Sequence, residues 1–361
     1  MSSLSDLLAA AAGHLPPHLV PAPALERAQR VLRTQSTAVP AVVCLECRLG
    51  DDSRVDPSFG VPPGRLGDFA GPEVAARSPE WVRVADLCGR ASLPGSAVHG
   101  RIGPLWLEFD DPGEGEVPDV PVPGILFSVE EGFPALHRSD AECGLALREV
   151  VRPLADEGWE PGTGQALRRV LRLVPDGALV SDLGIFLSRG AATVRVCVAN
   201  LTPDATAGYL AAVGWDGNGE DLTALLRETA GAVSGRFRVP LLHLDVGAAV
   251  CPRLGLEYLL DRQAQVSGPP AEAAFLDDLM RRGVCTREKR AALDRWPGWS
   301  LACIGDEERA VLRRVNSIKL IHRSGQPLEA KAYLMAINAS VPVDEVRRSL
   351  AASNAPVGTT A

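Results

Sequence analysis

Two short strand-like triplets carry side chains well suited to chemistry: Lys331-Ala332-Tyr333 and Arg195-Val196-Cys197. In an extended chain alternate side chains point the same way, so each triplet sets its outer two residues on one face. His243-Leu244-Asp245 repeats the spacing, and that pair suits either proton transfer or a buried structural hydrogen bond. The same alternation selects Cys44, Glu46 and Arg48 from 41–49, and Trp106, Glu108 and Asp110 from 104–110. It also selects Ala199, Arg253, Gly255 and Glu257, then Lys319 and Glu329. The opposite face is apolar, with Val43, Leu45, Cys47 and Leu49 in the first strand. Charged groups on the polar face are costly to bury alone, so water, a ligand or mutual pairing must solvate them. Cations, carboxylates and aromatics mixed over consecutive strands describe a site for a small charged ligand. A single wet face of an antiparallel sheet would alternate in the same way.

The elements that must position these residues recur in a fixed order: two helix-like stretches, then two strand-like stretches. Helices are expected at 4–13 and 23–34, separated by the proline-rich HLPPHLVPAP. Strands follow at 41–50 and, less regularly, at 53–59. A helix around 73–90 precedes strands at 104–110 and 124–130, joined by the acidic, proline-rich 111–123. Asp110-Asp111 runs straight into that stretch and reads as a solvated turn rather than a metal-binding pair. Helices at 139–156 and 163–174 lead to a hairpin of 178–189 and 192–201. Helices at 203–213 and 219–233 lead to strands at 239–247 and 252–260. Helices at 270–283 and 286–295 lead to 316–323 and 327–336, and a last helix covers 342–352. Thr286 is a good N-cap for its helix.

Hairpins make antiparallel neighbours, so the expected fold class is α+β. Repeated ααββ units close an antiparallel barrel with helices outside and a polar lumen. One domain is expected over 1–340, then the short C-terminal helix within 341–352 and a disordered tail over 353–361.

Composition narrows the function. The chain has 361 residues, 46% hydrophobic and 23% charged, as in a globular protein with a large core. A net charge of −8 disfavours nonspecific binding to nucleic acid or acidic lipid, though not a local cationic pocket. No segment approaches the ~20 apolar residues that span a bilayer, and the N-terminus lacks the basic start of a signal peptide. A cytoplasmic protein is expected. The eight cysteines are irregularly spaced. Cys44 and Cys47 form a lone CxxC on a strand, where an offset of three puts the thiols on opposite faces, so no metal site is expected. No Walker loop, dinucleotide-binding glycine fingerprint, GxSxG elbow or HExxH is present.

With these residues in place, the chain resembles the ABBA, or prenyltransferase-barrel, family of aromatic prenyltransferases. The resemblance rests on the helix-helix-strand-strand order over roughly 1–336, the chain length and the single Lys-x-Tyr at Lys331-Ala332-Tyr333. It implies ten antiparallel strands around a lumen and an allylic diphosphate as co-substrate, with Mg admissible but not required. It further implies that Lys331, Lys319 and Arg195 hold the diphosphate, with Arg48 among the substrate contacts. Glu46 resembles the acidic residue that takes the proton from the aromatic acceptor. Tyr333 and Trp106 would shield the allyl cation with their ring faces. The acceptor would be a small aromatic molecule or a peptide, as in natural product biosynthesis. The chain departs from the family in having three tyrosines in total, of which Tyr258 is expected to face outward and Tyr209 to lie on a helix. A non-catalytic small-molecule or peptide binding protein, accessory to a biosynthetic pathway, is the alternative on the same scaffold.

Overall fold

The computed structural model describes residues 3–35, 42–129, 132–133, 135–155, 159–160, 162–190, 193–230, 239–260 and 273–353. Among them eleven strands form: β1 (Val42–Arg48), β2 (Val55–Val61), β3 (Leu105–Glu108), β4 (Gly124–Ser128), β5 (Leu179–Phe186), β6 (Val194–Ala199), β7 (Leu241–Val246), β8 (Val250–Leu259), β9 (Gly298–Ile304), β10 (Glu307–His322) and β11 (Glu329–Ala339). β1 to β8 pair in sequence order, β8 pairs with β10, β10 with β11, and β11 returns to β1. All these pairings are antiparallel, so a ten-stranded barrel closes and leaves no free edge in the ring.

The barrel forms because one side chain in two is apolar and needs a cover. Leu45, Leu107, Ile125, Val196, Leu244, Leu256 and Ile318 point outward and are buried under the helices in one continuous core. Full burial of each such side chain is worth about 1.5–3 kcal/mol. Helices cap where expected. Thr202 accepts from the amide of Ala205 at the start of Pro203–Val213, and Thr286 from that of Lys289 at the start of Arg287–Arg295. Tyr258 faces outward, its ring tilted against that of Phe275 with its hydroxyl 2.6 Å from Thr229, and Tyr209 lies on its helix.

Three expectations need correction. The helix around 73–90 is split into helices Pro72–Ala75 and Pro79–Ser92, and a 3-10 turn Pro63–Phe69 precedes them. Pro79 has no amide to donate, so it starts a helix rather than continuing one, and Ser78 caps it. Secondly, β9 and the first half of β10 occupy 298–315, where no strand is read from the sequence. β9 pairs only with β10 and is half-exposed, so its residues lack clean alternation. Thirdly, Asp111 is not part of a solvated turn but is buried, while Asp110 is exposed and held by side chains. Arg27, from helix Ala22–Arg33, grips Asp111 at 2.6 and 2.9 Å, and the amide of Val55 donates to it at 2.8 Å. Ser188 donates to Asp110 at 2.8 Å and Arg189 at 3.0 Å. The last helix runs Val343–Ser353, so Ser353 closes it instead of opening the tail. The expected tail beyond it, and the ends of the helices expected at 219–233 and 270–283, lie outside the described residues.

The β1–β2 turn depends on a lysine. Lys289 Nζ donates to the carbonyls of Arg48 at 2.9 Å, Gly50 at 2.6 Å and Asp52 at 2.7 Å. These carbonyls converge at a bend where no sheet partner can take them. Lys289→Met keeps the stem and strands three acceptors, so a loss of about 2–4 kcal/mol is expected in urea unfolding. Stability within 0.5 kcal/mol of the wild type would contradict the assignment.

Candidate functional site

Polar positions of the strands converge inside the barrel on a cavity of about 500 Å³. Four linked groups of side chains line it. On β1 and β11, Glu46 stands opposite Tyr333, and Arg48 opposite Lys331. Lys331 Nζ donates to Oε1 of Glu46 and the Tyr333 hydroxyl to Oε2, so both carboxylate oxygens are bound. Burial raises the pKa of Glu46, but Lys331, Arg48 and Lys319 together pull it well below the usual range. Burial and the charge of Glu46 push the Tyr333 phenol well up, so it stays a donor.

On β6 and β7, Arg195 faces Asp245 in register and forks onto it at 2.8 and 3.0 Å. The Phe186 ring lies between two guanidinium groups, 4.4 Å from that of Arg195 and 4.2 Å from that of Arg189. Asp245 is held near pKa 2: burial opposes ionisation, and Arg195 more than offsets it. Arg48 is paired with Asp56 on β2 at 2.8 Å.

The fourth group crosses β6, β7, β8 and β10. Lys319 Nζ lies 3.0 Å from Nδ1 of His243, and Cys197 Sγ lies 3.4 Å from the same nitrogen. Both neighbours donate, so Nδ1 accepts and the imidazole proton sits on Nε2, 3.0 Å from Glu257. That last contact is close but poorly angled, because Nε2 makes no well-formed hydrogen bond. Ser317 donates to the other oxygen of Glu257 at 2.6 Å. Burial and then Lys319 drive the His243 pKa down to about 4, so the ring is neutral at pH 7. Lys319 is buried, 4% exposed, and its closest partner is the uncharged ring; burial and then Arg195 lower its pKa, while Glu257, 4.0 Å away, and Glu46 favour its charged form. Gly255 makes room for it, since a Cβ there would meet Lys319 Cε at 2.6 Å.

Below the charged groups lies an apolar floor in which Cys44, Tyr333 and Met335 pack with Val42, Trp106 and Ile337. Cys47 points the other way into the outer core, so the CxxC thiols are indeed separated. All seven candidate residues face the lumen: Glu46, Arg48, Arg195, Lys319 and Lys331 line the cavity, and Trp106 and Tyr333 border its floor. Glu108, which the sequence placed on the inner face but to which it gave no role, lines the same cavity without a hydrogen bond or ion pair among the described residues. Burial and the neighbouring Glu46 raise its pKa to about 7. Its alternation with Trp106 was the available signal.

The ring of ten antiparallel strands has known counterparts among solved structures. The apo form of prenyltransferase PriB superposes with a TM-score of 0.53 over 91% of this chain and 94% of that one, at 16% identity. The 5-dimethylallyltryptophan synthase from Streptomyces coelicolor gives 0.51 over 91% and 95%, at 16% identity. The 6-dimethylallyltryptophan synthase from Micromonospora olivasterospora, in complex with DMASPP and Trp, gives 0.51 over 93% and 96%, at 13% identity. The chain has the prenyltransferase-barrel fold. At such identities the likeness is one of fold, and it bears out the ααββ barrel expected from the element order. No protein-family model matches the chain, and no curated protein sequence does. No helix among the described residues is long and apolar enough to cross a membrane.

Proposed function

We propose that the protein transfers an allylic prenyl group from its diphosphate to an aromatic or peptide acceptor inside the barrel. The observation that carries this reading is Lys319, an ammonium buried in the lumen with a neutral imidazole as its closest partner. A cation so placed attracts an anion strongly, because little water screens it and its nearest carboxylate, Glu257, stands off at 4.0 Å. Negative charge grows on the diphosphate as its bond to the allyl carbon breaks, and fixed cations stabilise that charge without reorganising. Lys331 and Arg195 add to the positive field, though each already holds a carboxylate. The floor formed with Trp106, Tyr333 and Met335 offers apolar and ring surface to the allyl cation and the acceptor. Solved prenyltransferases of the same fold include PriB in complex with L-tryptophan and dimethylallyl thiolodiphosphate, which supports the ligand classes chosen here.

A second reading, a non-catalytic binding or accessory protein, is favoured by one specific feature. Arg48, Arg195 and Lys331 are already matched to Asp56, Asp245 and Glu46, as suits a zwitterionic ligand held without turnover. Incubation with dimethylallyl, geranyl and farnesyl diphosphates and a panel of indoles, phenols and peptides separates the two. A prenylated product over several turnovers is expected. Tight acceptor binding with neither diphosphate affinity nor product would overturn the enzyme reading.

The lumen carboxyls set a pH dependence. Burial, then the charge of Glu46, raises Glu108 to about 7 and Asp56 to about 6. A bound anion raises both further, so binding takes up protons. Affinity for dimethylallyl diphosphate is therefore expected to rise about three- to tenfold from pH 8 to pH 6.5. Titration at both pH values checks it, and an affinity that falls on acidification would contradict the proposed site.

A further inference from the structure

Of the carboxyl groups that line the cavity, Glu46 and Glu108 each lie two residues along a strand from a floor residue, Cys44 and Trp106, and they are not equivalent. Both oxygens of Glu46 are occupied, one by Lys331 and one by Tyr333. Lone pairs remain on both oxygens, but protonation of Glu46 would neutralise its ion pair with Lys331 and so loosen a cation of the anion site. Glu108 has no such commitment among the described residues, and it opens on the same cavity. On β3 it shares its face with Trp106, two residues away, which packs into the apolar floor. The charges acting on it from the other strands are the carboxylates of Glu46 and Glu257 and the cations of Arg195 and Lys319. It therefore stands between the surface on which an aromatic ring would rest and the cations that would hold the diphosphate.

We propose that Glu108, rather than Glu46, accepts the proton lost by the acceptor ring, given the prenyl transfer proposed above. The allyl carbon–oxygen bond breaks and its electron pair leaves with the diphosphate. A π pair of the ring forms the new carbon–carbon bond, giving an arenium ion. The carbon–hydrogen pair then restores aromaticity as the proton passes to a Glu108 oxygen, and the carboxyl returns it to water when the cavity empties. Glu46 is by this account a positioning residue that keeps Lys331 and Tyr333 in place. The electrostatics agree with the geometry. Lys331 and its neighbours hold Glu46 ionised far below neutrality, whereas burial and Glu46 itself bring Glu108 to about 7; a bound diphosphate raises it further, so turnover runs through the complexes in which Glu108 is ionised.

The test compares the wild type with Glu108→Gln and Glu46→Gln, using dimethylallyl diphosphate with L-tryptophan and a panel of indoles and phenols. Glu108→Gln should bind dimethylallyl diphosphate at least as tightly as the wild type, because a negative charge is removed. Its prenylated product should fall at least ~100-fold. Dimethylallyl alcohol should appear in its place as water captures the cation, and the acidic limb of the pH–rate profile near 7 should vanish. Glu46→Gln should instead weaken diphosphate binding and keep that limb. A purely structural Glu108 would leave the limb unmoved. Folding of the variant is checked separately: a raised carboxyl pKa withdraws stability as pH rises from 4.5 to 7, so Glu108→Gln should be the more stable chain at pH 8. If the wild type makes product and Glu108→Gln makes it at the same rate or with the same acidic limb, the proton acceptor is another group. If the wild type itself makes no product, the transferase reading fails and this assignment falls with it.

Discussion

Replacing Lys319 with Met is expected to weaken inorganic pyrophosphate binding roughly 100-fold while leaving the barrel folded. A hydrogen bond between charged partners contributes about 1.5–3 kcal/mol, and more where solvent is scarce. Met retains the apolar stem that lies across Gly255, so packing changes little. The loss should exceed that for Lys331→Met, because Lys331 is already matched by Glu46, whereas the nearest partner of Lys319 is a neutral ring. Isothermal titration of both variants checks the ranking. Equal affinities for wild type and Lys319→Met would remove Lys319 from the site, and a larger loss at Lys331 would reverse the order of the two cations. Removing Lys319 also lifts one of the influences that hold His243 low, so the imidazole pKa should rise from about 4 towards its ordinary range. Proton NMR of the ring would report it.

Arg195→Ala is expected to cost about 3 kcal/mol of stability, near the lower end for a broken buried ion pair because the pair borders a cavity that water can enter. The penalty comes chiefly from Asp245, left charged and without its fork. Removing both partners, as Arg195→Met with Asp245→Leu, should recover most of the loss, since neither charge is then stranded. The sign of the pH effect follows from Asp245. Its folded-state pKa, about 2, lies below the ordinary value of 3.8, so the pair's contribution is complete above pH 4 and fades as pH falls towards 2. Urea unfolding of the single and double variants at pH 7 and pH 3 measures both effects. A double variant as unstable as the single one would mean that Arg195 supports the fold by packing on Phe186 rather than by pairing.

Much of the barrel was legible because burial writes a period of two along each strand. In β1, β6, β7, β8, β10 and β11 the polar residues read as the inner set do point inward. Resemblance and alternation together picked out the lumen residues, yet they could not rank them. Ranking depends on cross-strand register between segments far apart in the chain. Glu46 meets Lys331 and Tyr333 only because β1 closes the barrel against β11, and Arg195 meets Asp245 only because β6 and β7 align there. The contrast between the bound Glu46 and the unbound Glu108 is therefore tertiary. β9 was missed for a different reason: half-exposed and paired on one side, it had little cause to alternate. Asp111 looked solvated because its partner Arg27 sits on a helix eighty-four residues earlier, out of reach of local spacing.

Prenyl transfer in this barrel requires that the lumen hold an allylic diphosphate. Calorimetric titration of the wild-type chain with dimethylallyl thiolodiphosphate, which is slow to ionise, measures that directly. The predicted result is one saturable site per chain, displaced by excess inorganic pyrophosphate and tightened on lowering the pH from 8 to 6.5. Absence of binding, or binding that pyrophosphate does not displace, would contradict it.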